Sequence, residues 1–479
     1  MFRTIVLKEL ADSARSLRFI VGWLVMLALM VAAVLLLSED VRRRGERQEL
    51  IERSQSEYVS EYGHTNRIGY VLRPSRPPER SEVLFRGLDD EAESGSFFSD
   101  PVAKLFPQLD LLFIVSVLLS LMAVIFTYDS VCGEREDGTL RQLHTGPVSR
   151  ATVILGKWIG TWIALGAPFL AVYLLVILLA AAIGGLPLGL DTALELTAIA
   201  LASLVYLAFF LCLGLLVSSL VKHSGTSILI LLFLWVMFVV GIPNAAPIVA
   251  SQLRPIPSVN AVERQTRLLT DIIRDNRLVE EGELIVRQLR EQYDIPDLAV
   301  ERWWEPSSLT ALGWSEEEAE EIAESYARMW SEAITRVNRE QSAQANALWE
   351  ELERKIEAQS ELARSIALLS PTPSFSFFAT DLASVGLRAE EHFHEEVGGF
   401  YEEFYDFLEE RERSEEERLG RRIGANEFLD MSGRPRLTHR PEPVAARLEA
   451  GLLAAGHLVI MTLIALIAAV VAYLRYDVR

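Results

Sequence analysis

LDLLFIVSVLLSLMAVIFT (109–127) runs directly into YDSVCGEREDGTLRQLHTGPVSRATVILGK (128–157), so an almost uncharged apolar run gives way to a short, charged, glycine-punctuated segment. A second apolar run starts at Ile159. At 1.5 Å of rise per residue, each run with its flanks spans a hydrocarbon core of about 30 Å. The segment between them therefore reads as a loop at one face of a membrane.

Four more runs of the same kind occur, giving spans at Phe19–Leu37, Leu109–Thr127, Ile159–Ile183, Leu194–Leu216, Ser227–Ile242 and Leu452–Leu474. The fifth, SILILLFLWVMFVV at 227–240, is the shortest, and its small flanking residues are expected to extend it. Half of the 479 residues are apolar while the formal charge is −20, which requires apolar and acidic parts that are separate in sequence. Runs this long without charge exclude the buried helices of a large soluble core. The first run follows a basic stretch (Arg3, Lys8, Arg15, Arg18) and ends in SEDVRRR with no small-x-small site, which favours an uncleaved span over a signal peptide.

Short loops fix the orientation. The loop between spans two and three carries Arg135, Arg141, Arg150 and Lys157, whereas GGLPLGLDTA (184–193) has no Lys or Arg. The basic loop is assigned to the cytoplasm, together with both termini, in agreement with Lys222, Arg475 and Arg479. Arg42, Arg43, Arg44 and Arg47 oppose this, but they open a long loop, where the rule is weak. The expected fold is an all-α polytopic membrane protein with six transmembrane helices and a large, mostly helical extracytoplasmic domain between the fifth and sixth. Its parts are an amphipathic N-terminus with the first span (1–38), an extracytoplasmic loop (39–108), spans two to five with the cytoplasmic loop 128–157 (109–245), the extracytoplasmic domain (246–448), and the last span with a cytoplasmic C-terminus (449–479).

Within 246–448, Ile322, Tyr326, Met329, Ala333 and Val337 recur at helical spacing beside six glutamates at 316–324, and Leu348, Leu352 and Ile356 continue the stripe. Ser315 and Glu318 form a candidate capping box, and Ser370-Pro371 is the expected stop. The acidic surface is foremost a solvated face and secondarily an attractor for cations.

Other patterns point to chemistry more weakly. His392 and His394 suit a metal with Glu391 or Glu395, but residues two apart on a helix point in different directions, so no metal site is assigned. Phe400, Tyr401, Phe404, Tyr405 and Phe407 fit a buried or membrane-surface stripe better than a ligand cage. Cys132 and Cys212, the only cysteines, fall in the cytoplasmic loop and in a span, which leaves no extracytoplasmic disulfide. Gly156-Lys157 precedes Trp158 and lacks the rest of a phosphate-binding loop, and no His-Glu-x-x-His occurs. Ser219 and Lys222 match Ser-x-x-Lys without the companion elements of the serine enzymes. The chain is therefore not expected to be an enzyme, and energy for uphill transport has to come from elsewhere.

The segment 128–157 can form a helical turn or two at Thr139–Leu143, is broken at Gly146-Pro147, and offers Ser149 as the cap of the next helix. By composition alone it is either an ordinary solvated loop or a lever tied to two spans. SVCGEREDGTLRQLHTGPVSRATVILGKWIG (130–160) resembles the permease subunits of ABC-2 type ATP-binding cassette transporters, of the NosY-like and gliding-type subgroup with a large extracytoplasmic insertion. The matching positions are Glu134, Arg135, Glu136, Gly138, Thr139, Leu140, Leu143, Pro147, Ser149, Arg150, Gly156 and Lys157, and the sequence departs from the pattern at His144 and Gly146. A second stretch, ARSIALLSPTPSFSFFATDLASVG (363–386), is similar to a segment before the last span of such permeases, through Leu369, Ser370, Pro371, Phe375, Asp381, Leu382, Ala383 and Gly386.

The resemblance implies a dimer with a second permease copy or a paralogue, each copy docking a separate ABC ATPase subunit through the short helix around 134–145 and through Met1–Arg18. ATP and Mg2+ would bind the partner subunit, and this chain would bind no cofactor. Closure of the ATPase would push the lever and tilt spans two and three, with Glu134 or Glu136 paired to partner arginines and Leu140 and Leu143 filling a groove. The implied setting is the bacterial or archaeal cytoplasmic (inner) membrane, with membrane lipid and an extracytoplasmic protein as further partners and no nucleic acid. Few polar groups in spans four and five favour an amphiphilic cargo or mechanical work over a small ion path. A membrane-anchored scaffold without transport activity is the alternative, and an intramembrane enzyme is the least supported.

Overall fold

A computed structural model gives the architecture; it describes residues 2–61, 74, 76–86, 109–140, 149–295, 304–421 and 429–475. Helices account for nearly all of these residues, and no strand occurs among them. Two compact units result, one formed by residues 1–244 with 367–479 and the other by 245–366.

The first unit contains the apolar helices. α1 (Phe2–Arg15) is amphipathic and α2 (Leu17–Glu61) is the first candidate span. The second span comprises α3 (111–127) and the short α4 (Cys132–Glu136), and is followed by α5 (Arg150–Ile183), α6 (Leu190–Leu220), α7 (Ser224–Leu253) and, last in the chain, α13 (Val444–Leu474). Six helices are thus long and apolar enough to cross a membrane, and each contains one of the runs read from the sequence. The fifth is extended at both ends, as its small flanking residues suggested.

α6 is the core helix of this unit: 83% of its most apolar window is buried, against 17% for α7, so α7 presents most of its apolar surface outward. Gly214 lets α6 approach α3, because a Cβ there would lie 1.7 Å from Thr127 Oγ1. Both α3 and α7 contain a π-helical turn, at Ile114–Leu119 and Met237–Gly241, where backbone carbonyls leave the regular ladder.

α2 does not end at residue 38, where the apolar run stops. It continues to Glu61, because the arginines beyond the run are matched by acids one turn away: Arg42 with Glu39 (2.8 Å) and Glu46 (2.7 Å), Arg43 with Glu39 (2.8 Å), and Arg44 with Asp40 (3.2 Å). Arg44 also reaches Glu82 at 2.6 Å.

The second unit is an antiparallel helical pair, α8 (Val259–Tyr293) and α10 (Glu316–Ala367), with the short α9 (Pro306–Ala311) near its turn. The register follows from Gln359 donating to the Arg254 carbonyl, Gln341 donating to the Thr270 carbonyl, Arg336 pairing with Glu281, and Tyr293 donating to Glu321. Ile285, Leu289, Ile322 and Ala333 are buried between the helices, as the stripe required. The capping box forms: Ser315 Oγ accepts from Glu318 N at 3.3 Å while Glu318 accepts from Ser315 N at 3.1 Å.

The remaining helices, α11 (Pro371–Leu382) and α12 (Leu387–Leu419), belong to the first unit. The stretch read as one insertion, 246–448, is therefore divided at residue 367. Its second part packs with the apolar helices because PTPSFSFFATDL presents Phe375, Phe378 and Leu382 to their core.

Candidate coupling site

The described parts of the charged segment after α3, 128–140 and 149–157, are tied to helices distant in the chain. Ser218 Oγ, near the end of α6, accepts from Val131 N (3.0 Å) and Cys132 N (3.2 Å), satisfying donors at the start of α4. Gly138 takes the left-handed conformation (φ 72°) that ends α4, and the Thr139 hydroxyl donates to the Glu134 carbonyl at 3.1 Å. Ser149 caps α5 by accepting from Thr152 N at 3.1 Å, as its position predicted. Arg150 donates to the Leu474 carbonyl at the end of α13.

Glu134 faces inward. Its Oε1 lies 2.8 Å from Lys157 Nζ and 3.2 Å from Lys8 Nζ, and Lys157 also reaches Glu9 at 2.9 Å. The Lys157 side chain is 4% exposed, so an alternation of charges centred on a buried lysine, with Lys8 at its exposed end, joins α1, α4 and α5. Gly156 and Gly160 provide the close approach: a Cβ at either would lie within 3 Å of Ile5 or Glu9 on α1. Arg18 adds an ion pair to Asp129 at 3.2 Å and lies over the Tyr128 ring.

Glu136 instead takes the start of α7. It accepts from Ser224 N (3.1 Å) and Ser224 Oγ (2.7 Å), with His223 Nδ1 at 3.3 Å, which puts a carboxylate at a helix N-terminus. Leu140 is 2% exposed, packed with Val131, Ile154, Leu215 and Tyr473, so it fills this chain's own core and not a partner's groove. Glu136, Asp137, Gly138 and Thr139 form the exposed tip, and Arg135 is half-buried. Leu143, Pro147, His144 and Gly146 lie outside the described residues. Sequence reading missed Lys8, Glu9, Ser218, His223 and Ser224, whose roles depend on partners distant in the chain.

The second motif is equally internal. Ser370 caps α11 and donates to the Phe238 carbonyl in the π-helical turn of α7. Tyr206 of α6 donates to the Ser116 carbonyl in the π-helical turn of α3 (2.8 Å), lies 3.0 Å from the Thr372 hydroxyl, and stacks on Phe375. Pro371, Asp381 and Leu382 are buried, Leu369 is exposed, and Gly386 allows a close approach to Asp381 Oδ1. Arg447 joins the Leu382 carbonyl to Glu195 at the head of α6.

The other expected sites resolve individually. His392 approaches the Arg440 carbonyl (3.1 Å), and His394 approaches that of Glu390 (2.9 Å), so the two histidines do not converge. No metal-binding group occurs among the described residues. His439 instead lies between two carboxylates, Glu396 at 2.6 Å and Glu79 at 3.1 Å, whose hydrogen bonds hold its pKa above the usual imidazole range. Phe400 and Phe404 are buried on Leu429 and Met431 while Tyr405 is exposed, as expected of a packing stripe. Ser219 donates to the Leu215 carbonyl (2.7 Å) and Lys222 is exposed. Cys132 and Cys212 are both buried free thiols.

No match to a curated protein was found. The sequence profile described as ABC-2 family transporter protein matches residues 3–478, nearly the whole length. A six-helix apolar unit, a fixed charged segment after the second span and a match of that extent agree, and the chain belongs to the ABC-2 family of transporter proteins.

Proposed function

We propose that this chain is the permease subunit of an ABC transporter of the NosY-like and gliding-type subgroup, acting as a dimer with a second copy or a paralogue in a bacterial or archaeal cytoplasmic membrane. A separate ATPase subunit binds ATP and Mg2+, and its closure is coupled through residues 132–140 to export of an amphiphilic cargo or to mechanical work on an extracytoplasmic partner. Both termini and the 128–157 segment face the ATPase.

The observation that carries this reading is the attachment of 128–140 to α2, α5, α6 and α7 through Arg18–Asp129, Glu134–Lys157, Ser218 and Glu136–Ser224. Force applied to the exposed tip at 136–139 is passed to several helices at once, because each contact is short and directional. An ordinary solvated loop needs none of these ties.

The test is co-expression with the cognate ATPase. Asp137→Lys reverses charge on the exposed tip and is expected to weaken co-purification about tenfold while membrane insertion is retained. Unaltered co-purification and ATPase stimulation would refute docking at this tip. Co-purification of extracytoplasmic proteins with no ATPase partner at all would support the scaffold alternative.

A further inference from the structure

α11 is 12 residues long, about 18 Å, too short to cross a hydrocarbon core of about 30 Å. Its first turn nevertheless lies level with the middle of three candidate spans. Ser370 donates to the Phe238 carbonyl near the centre of α7, Thr372 meets Tyr206 near the centre of α6, and Ser374 meets His457 near the centre of α13. The last residue of α11, Leu382, accepts from Arg447 near the start of α13, and Arg447 also pairs with Glu195 near the start of α6. α11 therefore runs from mid-span to the ends of the spans, and the Arg388–Glu442 ion pair (2.7 Å) follows just past it in the chain.

Most polar groups at this level are satisfied within the chain. Trp235 Nε1 donates to Ser120 Oγ at 2.8 Å, Tyr206 donates to the Ser116 carbonyl, and Ser370 donates to that of Phe238. His457 differs. Its Nδ1 lies 2.8 Å from Ser374 Oγ, the residue is half-buried, and Nε2 has no hydrogen-bond partner among the described residues. Joining α13 to α11 takes one hydrogen bond, whereas an imidazole brings a second polar atom to the same place. An ionisable side chain at such depth is accommodated against protein or a water-filled path and not against hydrocarbon. α11 itself offers polar surface towards this point: Ser376 and Thr380, one turn apart, are half-buried, while Ser374, Phe375 and Phe378 are buried.

We propose that water and the polar head group of an amphiphile reach mid-span along the half-buried face of α11, and that His457 Nε2 is the hydrogen-bonding contact at the inner end of this route. Ser376 and Thr380 line it, and Phe377, half-buried between them in sequence, adds apolar surface for the tail. Nε2 donates or accepts according to the tautomer, so it meets a hydroxyl, a carboxylate or a phosphate equally well. The proposal rests on the permease reading for what travels there, while the access of water to His457 is a property of this chain alone.

The experiment is thiol labelling of the full chain in lipid vesicles with 2-sulfonatoethyl methanethiosulfonate, a small anionic reagent, supplied on both sides of the membrane and read by intact mass. The reagent attacks thiolates, which do not form in hydrocarbon, so the rate reports contact with water. His457→Cys and Ser376→Cys are expected to react at least about tenfold faster than Val459→Cys, which sits at the same level of α13 and is 42% exposed. The parent chain, whose Cys132 and Cys212 are buried, sets the background. Equal rates at 457, 376 and 459 would overturn the proposal, and labelling at 376 without labelling of a folded His457→Cys chain would overturn it too, because the route would stop short. Ser376→Cys keeps His457 and its bond to Ser374, so it decides the outcome if His457→Cys does not fold. No ATPase takes part, so a negative result removes this route and leaves the coupling reading to its own test.

Discussion

Lys157 Nζ lies 2.8 Å from Glu134 Oε1, and the lysine side chain is almost completely shielded from water. The two residues lie near opposite ends of the charged segment, on α4 and α5, so the pair joins the end of the second span to the start of the third.

Removing one partner of a buried pair costs more than removing both, because an uncompensated charge is left behind. Lys157→Met is expected to destabilise the detergent-solubilised chain by about 3 kcal/mol. Adding Glu134→Gln and Glu9→Gln should restore at least half of that loss. Thermal unfolding of the single and triple variants checks this, and an unchanged midpoint for Lys157→Met would show that the pair contributes nothing.

Glu136→Lys tests a different contact. It replaces a carboxylate at the N-terminus of α7 with a cation, losing two hydrogen bonds to Ser224 and opposing the helix dipole, at a cost of about 1 kcal/mol. The protein should still insert and bind its ATPase, while hydrolysis no longer responds to the permease. Glu136→Gln should keep most of the response, and normal stimulation in Glu136→Lys would remove this residue from the coupling path.

The seat of α11 is probed by Tyr206→Phe. The lost hydroxyl leaves the Ser116 carbonyl and Thr372 without their buried partner, which costs about 1–2 kcal/mol. Amide exchange across 370–376 should accelerate, and Ser370→Ala should have the same effect through the Phe238 carbonyl. Exchange confined to the α12 side would contradict the arrangement.

His439 gives a pH dependence with a definite sign. Both ring nitrogens face carboxylates, first Glu79 and then Glu396, with His392, Arg440 and Glu442 close in sequence or space, and the folded-state pKa is raised above 6.5. The charged imidazolium therefore binds its proton more tightly in the folded chain. This contribution is fully present below pH 6.5 and is lost as pH rises through the raised value. Unfolding midpoints measured from pH 6 to pH 9 should fall more in the wild type than in His439→Asn, and parallel curves would count against the clamp.

Sequence reading located the six spans, the Ser315–Glu318 box and the long helix ending before Ser370, because each rests on neighbours in sequence: an apolar run, a three-residue spacing, a proline. It did not find the continuation of α2 to Glu61, where acids one turn away compensate Arg42, Arg43 and Arg44. It also grouped α11 with the stretch 246–448, because position between the last two spans was the basis for that grouping and the contacts of Ser370 and Thr372 with Phe238 and Tyr206 are distant in sequence. Glu134 looked free for a partner because Lys8 and Lys157 are far from it in the chain. In each case the missing information was a contact across sequence, which no local pattern encodes.

The π-helical turns in α3 and α7 have a further consequence. Such a turn holds one residue more than the α-helical path needs, and moving that surplus along the helix turns the intervening side chains by about 100° each while the backbone stays wound. Among the described residues of the six candidate spans such turns occur in α3 and α7, and in each a carbonyl of the turn, Ser116 or Phe238, accepts from a hydroxyl distant in the chain, Tyr206 or Ser370, so the two irregular stretches are each anchored from outside their own helix.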